Sequence, residues 1–386
     1  MPMLVGEAQG NRTDANTQYF RSDFGRAKKD SGPLPARLDD PSVLRWRVNL
    51  DSGQSTPILS NGRIFLTTYN NQSKELATVA LDQKTGELIW RQPLTTGSIE
   101  AFHQKTGNAA VATPACDGSR LYVFFGSYGL ICYDLDGKKL SGYDPSNGKL
   151  LWSIPGLARI VIPMPVPDGD MIYMASWAPG GDSGKRLTLD VWPTALGKWD
   201  KNKDGRLSLP EIDDREVVDR FFRMDLDQNG TLDSKEWDRH ANVFRLAQNA
   251  ILAVKPSGRG ELPGSQVVWK HQRGIPYVAT PLLDSGIIWM VKDGGIVTKL
   301  EASSGALLQE ERLAGLGGYY SSPVTGDSKV YFASEAGVVT VVENKRDWQV
   351  LSSHDFHEKI YCSPVIDGSR IYVRTDQALH AFDGSK

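Results

Sequence analysis

The chain has 386 residues, 40% of them hydrophobic and 23% charged, with a formal net charge of −2 and a pI near 6.3. That length can bury a sizeable core and suits two or three ordinary domains or one large repeat fold. The nearly balanced charge gives no footprint for nucleic-acid or anionic-membrane binding, and no run approaches the ~18 apolar residues of a membrane span.

Residues 1–43 are polar and rich in Gly, Asn and Asp, which predicts a poorly ordered N-terminal extension. They contain no basic-then-apolar signal segment, which fits a cytosolic chain or one lacking its native leader. A turn followed by an apolar–aromatic–apolar strand then recurs. It reads Asn61-Gly-Arg-Ile-Phe-Leu66, Asp117-Gly-Ser-Arg-Leu-Tyr-Val123, Asp168-Gly-Asp-Met-Ile-Tyr-Met174, Asp284-Ser-Gly-Ile-Ile-Trp-Met290, Asp327-Ser-Lys-Val-Tyr-Phe332 and Asp367-Gly-Ser-Arg-Ile-Tyr-Val373. Each copy follows a short strand opened by a proline: Pro57, Pro114, Pro165, Pro281, Pro323 or Pro364. Several copies lead into a Gly-turn and a tryptophan, as in Ala80–Trp90 and Tyr143–Trp152. One unit is therefore strand, turn, strand, turn, strand, Gly-turn, strand. This is a four-stranded blade, and six copies predict an all-β fold, a β-propeller of six blades. A small twisted sheet cannot bury both faces alone, so blades stack, and a Trp at one repeat position covers the gap between neighbours. Three repeats depart from the Trp: Gln309 replaces it, Trp348 falls early, and the Asp134–Leu140 turn reaches none.

The chain stops after a third strand at Ala381-Phe-Asp-Gly-Ser-Lys386, whereas Trp46-Arg-Val-Asn-Leu50 resembles Trp90-Arg-Gln-Pro-Leu94 and has no strands before it. Residues 44–50 are thus expected to supply the missing strand and close the ring. Two strand-to-turn elements, Tyr133–Leu140 and Tyr143–Trp152, lie back to back where a blade needs one. They mark either a longer outer loop or the loss of whole blades. Cys116, Cys132 and Cys362 form no CxxC and no adjacent pair, and read as small apolar core residues.

Successive prolines are about 42 residues apart late in the chain, but Pro165 and Pro281 are separated by roughly 74 residues more. The domain plan is propeller over 44–189, an inserted helical segment over 190–249, and propeller again over 250–386. The insertion holds two 12-residue loops of EF-hand type, Asp200–Glu211 and Asp225–Glu236. Calcium takes six to eight oxygen ligands, and this spacing folds side-chain oxygens around one point. The first loop offers Asp200, Asn202, Asp204, the Arg206 carbonyl, Ser208 through a water, and Glu211 with both oxygens, with Gly205 at the sharp turn. The second offers Asp225, Asp227, Asn229, the Thr231 carbonyl, Asp233 and Glu236, with Gly230 at the turn. Two ions are expected, the second bound more tightly because its loop has four acidic candidates against three. Leu207 and Leu232 hold the loop position that pairs with the partner loop. A helix over 210–224 is expected to serve both loops, with Val217, Val218, Phe221 and Phe222 inward and Asp213, Asp214, Arg215 and Asp219 in water.

The pattern Ala-x-Asp-x-x-Thr-Gly-x-x-x-Trp, intact at Ala80–Trp90 and partial at Tyr143–Trp152 and Lys299–Gln309, resembles the PQQ-like (pyrroloquinoline-quinone-like) propeller repeat. The arrangement resembles bacterial members with EF-hand insertions, in which eight blades are common. The resemblance implies the fold and not the chemistry. It embraces quinoprotein dehydrogenases, whose quinone and calcium sit on the propeller axis with a catalytic carboxylate and often adjacent cysteines. It equally embraces non-enzymatic proteins such as the outer-membrane-assembly lipoprotein. This chain has no adjacent cysteines and no carboxylate that stands out as a base, so PQQ is not expected. A non-enzymatic binding or scaffold propeller, periplasmic or extracellular with structural calcium, is the expectation. Its partner, a protein or small molecule, would sit on the propeller face. Tyr277 and Tyr319 share one repeat position there and Tyr320 and Tyr361 the next; they either contact a ligand or pack between blades. His354 and His357 have metal-like spacing but no third ligand, and His103 precedes an inner strand with no partner visible. Lys292-Asp-Gly-Gly295 reads as a turn, since no helix follows it.

Overall fold

The structure, a computed structural model, describes residues 20, 21, 24–28, 31–94, 99, 107–116, 120–125, 127, 129–134, 139–141, 152, 153, 163–177, 189–246, 249–255, 260, 261 and 264–385. It is mostly β and divides into two compact units, Met1–Lys149 with Val278–Lys386, and Leu150–Tyr277.

The first unit begins with β1 (Leu44–Asn49). A sheet follows of β2 (Ile58–Ser60), β3 (Arg63–Asn70), β4 (Glu75–Asp82) and β5 (Leu88–Leu94). The next is β6 (Ala115–Cys116), β7 (Arg120–Phe125), β8 (Gly129–Asp134) and β9 (Lys139–Ser141). The second unit opens with β10 (Trp152–Ser153), then β11 (Val166–Asp168) and β12 (Met171–Ser176). There follow the helical insertion with β13 (Leu207–Ser208) and β14 (Thr231–Leu232), then β15 (Ala250–Val254), β16 (Gly260–Glu261) and β17 (Val267–His271). The first unit resumes with β18 (Leu282–Asp284), β19 (Ile287–Lys292), β20 (Ile296–Glu301) and β21 (Leu307–Arg312). After it come β22 (Val324–Gly326), β23 (Lys329–Ala333), β24 (Val338–Glu343) and β25 (Val350–Asp355). Last are β26 (Val365–Asp367), β27 (Arg370–Arg374) and β28 (Ala378–Asp383).

Among the described residues six four-stranded antiparallel sheets result, consistent with propeller blades. The sixth has the order β1-β28-β27-β26, so Trp46 lies opposite Ala381 and Val48 opposite Leu379. Strand β1 is thus the fourth strand of a sheet whose other three end the chain. The sheet of the second unit, β11-β12-β15-β17, pairs Ser176 directly with Ala250, which places residues 177–249 between its second and third strands. Of the two back-to-back elements, the first supplies β9. The second supplies β10, which pairs in parallel with β16 and belongs to no four-stranded sheet. Residues 142–151, and with them most of the second turn, lie outside the described residues.

Local chemistry explains the blade. Asn61 and Gly62 have φ of 52° and 72°, and Ser285 and Gly286 have 50° and 74°, the left-handed pair that matches the twist of a tight hairpin. In the next turn Asp82 Oδ1 accepts the amides of Lys84 and Thr85, leaving Gly86 at φ 76°. A Cβ there would meet Trp46 Cε3 at 2.6 Å, so only glycine lets the ring of the neighbouring sheet lie on the turn. A register shift recurs between the third and fourth strands of all six sheets, a bulge built into the repeat. Where Gln309 replaces the Trp, Trp348 packs instead on Trp289 with centroids 6.2 Å apart, and Lys299 Nζ lies 4.4 Å from the Trp289 ring. Burial pulls the Lys299 pKa down to about 8. Cys116 and Cys362 are buried and form no disulfide, as expected of small apolar side chains; the Cys132 side chain lies outside the described residues.

Within the first unit the inner strands are joined by a feature absent from the repeat pattern as read. The residue before each proline is Thr280, Ser322, Ser363, Thr56 and Thr113. The Thr280 amide donates to Ser322 Oγ (2.9 Å), the Ser322 amide to Ser363 Oγ (3.0 Å), the Ser363 amide to Thr56 Oγ1 (3.4 Å), and the Thr56 amide to Thr113 Oγ1 (3.0 Å). Arg374, 1% exposed, adds bonds to the Ser55 and Thr67 carbonyls.

Residues 31–43 depart from the expected extension. Leu34, Leu38 and Val43 are buried in one core cluster with Val324, Tyr331 and Ile371. The Leu34 amide donates to Asp327, and the Pro35 carbonyl accepts from Tyr331 Oη. Their polar surroundings in sequence hid three apolar anchors spaced four and five residues apart. Residues 1–19 lie outside the described residues.

The last sheet carries a buried titratable group. His380 is 7% exposed, stacked on Phe382 and edge-on to Phe356, and its Nε2 has no hydrogen-bond partner. Burial pulls its pKa down from 6.5 to about 4, against the opposing pull of Glu358, whose Oε2 is 3.9 Å away. The unfolded imidazole takes its proton near pH 6.5 and the folded one only near 4, so acidification between those values favours the unfolded chain. Stability from this group is complete above pH 6.5 and declines as pH falls toward 4. In denaturant unfolding at stepped pH, His380→Gln should retain on the order of 2 kcal/mol more of its neutral-pH stability than wild type at the acid end. Parallel pH profiles would contradict a neutral, buried imidazole.

Candidate metal centre

The insertion consists of α1 (Trp192–Trp199), α2 (Arg215–Val218), α3 (Phe221–Met224) and α4 (Ser234–Leu246), with the two acidic loops between them. Its own core gathers Leu189, Ala195, Trp199, Phe221, Met224 and Trp237. Trp237 contacts both Trp192 and Trp199 at 5.9 Å, and its Nε1 donates to the Asp190 carbonyl.

The predicted single helix over 210–224 is broken. A 3₁₀ turn covers Leu209–Glu211, Ile212 is extended, and Asp214 caps α2 by accepting the amides of Glu216 and Val217. That helix stops at Asp219 and a separate turn, α3, begins at Phe221. The break rotates one turn against the other. Val217 and Phe221 are buried and Val218 partly so, but Phe222 is 79% exposed instead of inward. Asp213, Arg215 and Asp219 face water as expected.

The two loops share one backbone shape. Lys203 and Gly205 have φ of 62° and 79°, and the matching Gln228 and Gly230 have 58° and 81°. Asp200 accepts the amides of Asp204 and Gly205, just as Asp225 accepts those of Asn229 and Gly230. Asn202 accepts the Asp204 amide, while Asn229 accepts the Thr231 amide. Glu211 takes the amides of Lys201 and Asn202 on one oxygen and the Ser208 amide on the other; Glu236 does the same with Leu226, Asp227 and Asp233. The Ser208 hydroxyl also donates to Glu211, at 2.6 Å, so it supports the carboxylate directly. Bonds from the Ser208 side chain and backbone hold the Glu211 carboxyl below its usual pKa. The loops meet at β13 and β14, where Leu207 lies opposite Leu232 and Ser208 opposite Thr231. Arg206 Nη1 donates to Thr231 Oγ1 across this pair.

In the second loop Asp225, Asp227 and Glu236 bring carboxylate oxygens within 4.8 Å of one another. Asp225 and Glu236 are 5% and 8% exposed, and neither carboxylate has an ion-pair partner among the described residues. Such a set of converging hard oxygens fits calcium better than a soft transition metal. Asp233 caps α4, accepting the Lys235 and Glu236 amides.

The other predicted sites fall elsewhere. Tyr319 is 1% exposed with its hydroxyl on the Gly315 carbonyl, a packing residue. Tyr277 contacts Trp177 at 4.6 Å within the second unit. Tyr320 and Tyr361, 5.8 Å apart, line a cavity of about 370 Å³ with Phe20, Gln54 and Thr113. His354 lies edge-on to Phe356, His357 is exposed beside Asp355, and no acidic or cysteine group joins them in a metal-like cluster among the described residues. Lys292–Gly295 is a turn whose Asp293 accepts the Tyr319 amide. His103 lies outside the described residues.

Residues 38–160 and 75–189 match the family model described as outer membrane protein assembly factor BamB. The match spans residues 38–189, less than half of the chain. Among solved structures, it is similar to BamB from Moraxella catarrhalis at 12% identity, covering 88% of this chain and 100% of that one, with a TM-score of 0.29. A europium-containing methanol dehydrogenase is 10% identical over 96% and 98% of the two chains, with a TM-score of 0.45. No curated protein sequence matches. No described helix is long and apolar enough to cross a membrane.

Glu211→Ala leaves the Lys201, Asn202 and Ser208 amides without their acceptor. The expected loss is about 1–3 kcal/mol from the insertion. It should appear in near-ultraviolet circular dichroism of the Trp192, Trp199 and Trp237 cluster before the β-sheet signal changes. Simultaneous loss of both signals would contradict a separately cored insertion.

Proposed function

We propose that the chain is a calcium-binding PQQ-like β-propeller protein of non-enzymatic, binding or scaffolding type, with two ions stiffening the inserted loop pair. The observation that carries this reading is the convergence of Asp225, Asp227 and Glu236 within 4.8 Å, two of them buried and without a cationic partner. Mutual repulsion of carboxylates at that distance costs stability unless a cation joins them. The first loop repeats the same backbone turns and amide bonds, so a second ion fits there through Asp200, Asn202, Asp204 and Glu211. The insertion leaves its own sheet between β12 and β15 and packs around its own core. Calcium therefore acts in structure, not in chemistry at the propeller face. A periplasmic or extracellular compartment, where calcium is abundant, suits such loops.

The family match over residues 38–189 favours a second reading, an assembly factor of the outer membrane. It shares the non-enzymatic premise and differs in the partner.

Calorimetric titration of the full chain should give two calcium ions, with a rise in melting temperature that a chelator reverses. Asp225→Ala should abolish the tighter event and Asp200→Ala the weaker. Absence of both heat and melting shift would sink the metal assignment. Dye reduction by an alcohol in protein reconstituted with PQQ would overturn the non-enzymatic part.

A further inference from the structure

Strand β1 is the outermost of its sheet, and among the described residues it pairs with β28 alone. Two ion pairs hold its side chains. Arg45 Nη2 lies 3.1 Å from Asp383 on β28, and Arg47 Nη2 donates to Glu358 Oε1 (2.7 Å) in the connection between β25 and β26. Arg47 stands directly opposite His380, and residues opposite each other in an antiparallel pair share a face. Glu358 therefore serves two groups on that face. It already binds Arg47, and its Oε2, which accepts the Thr375 hydroxyl, is 3.9 Å from His380 Nε2, beyond hydrogen-bond reach.

The charges facing the imidazole come from three elements: Glu358 from the β25–β26 connection, Arg47 from β1, and His354 from β25 beyond the Phe356 ring. Of these, Glu358 attracts an imidazolium, whereas Arg47, and His354 once protonated, repel it. The two ion pairs themselves survive mild acid. Against the upward pull of burial, bonds from Thr375 and Arg47 keep the Glu358 carboxyl below its usual 4.5, and bonds from Ser385, Ser369 and Arg370 keep Asp383 far below its usual 3.8. Both carboxylates thus stay charged between pH 4.5 and 6.5, where an imidazole released to water takes its proton.

We propose that Arg47, Glu358 and His380 form an acid-operated latch for β1: proton uptake by His380 draws Glu358 from Arg47, sets two cations opposite each other, and lets β1 leave β28 while the rest of the first unit stays folded. The latch requires no calcium.

Two features make β1 the element that yields. A buried imidazolium 3.9 Å from its counter-ion gains a bond only if Glu358 moves, and that movement leaves Arg47 unpaired in a directly opposed cross-strand position. Release of an outermost strand breaks one ladder, whereas release of β28 would break two, with β1 and with β27.

The test is hydrogen exchange of the full chain, read by mass spectrometry at about pH 7 and about pH 4.5 and corrected for the intrinsic pH dependence of exchange. Acid should raise exchange within residues 44–49 roughly tenfold or more, with β23 and β24 unchanged. His380→Gln should abolish that rise. Arg47→Gln, which removes the opposed charge from a partly exposed position, should cut the acid-to-neutral ratio several-fold. No rise in wild type would overturn the latch. So would an equal rise in β23 and β24, or a full rise in either variant.

Discussion

Each inner strand of the first unit starts at a proline, and a proline removes an amide from a crowded place. The preceding residue is held extended, and its own amide must find an acceptor off its own sheet. The Ser and Thr hydroxyls at Ser322, Ser363, Thr56 and Thr113 are those acceptors, each reaching the amide of the equivalent residue one sheet away. A hydroxyl residue at one repeat position thus fastens the neighbouring sheet. The link from Ser363 to Thr56 joins the last sheet to the first. It runs beside the second fastening of the chain ends, in which β1 completes the sheet of β26, β27 and β28. Trp46 on β1 then lies over Gly86, so the borrowed strand also covers the next sheet's turn.

Much of this was legible in the sequence because it repeats. The turn pairs, the prolines, the borrowed strand at Trp46 and the pairing of Leu207 with Leu232 all follow from residue type at fixed spacing. What escaped has physical causes. The hydroxyls before the prolines sit in view at five repeats, but a lone Ser or Thr carries no signal until its acceptor role is seen across sheets. The helix over 210–224 had a good apolar period, yet Pro210, the Asp214 cap and the stop at Asp219 cut it into short turns and turned Phe222 to solvent. Residues 31–43 read as extension because their anchors, Leu34, Leu38 and Val43, are thinly spread among polar residues and bury themselves only against distant strands.

Of the inserted loops, the turns at Gly205 and Gly230 and the meeting of Leu207 with Leu232 were legible from the spacing of the acidic residues. The insertion has its own core around three tryptophans and leaves the register of its sheet undisturbed at Ser176 and Ala250. The blade accepts the extra residues because they leave between adjacent antiparallel strands whose ends already lie together. The acidic loops and the inner strands of the first unit are in this way built from separate parts of the chain.

The claim on which the rest stands is that hydroxyls before the prolines fasten sheet to sheet. Ser363→Ala deletes one acceptor and leaves the Ser322 amide buried without a partner. Hydrogen exchange at Ser322, read with the melting temperature, tests it directly. The account predicts loss of protection at Ser322, retained protection within β23 and β24, and destabilisation of about 1–3 kcal/mol. Full protection at Ser322 with unchanged melting would contradict it.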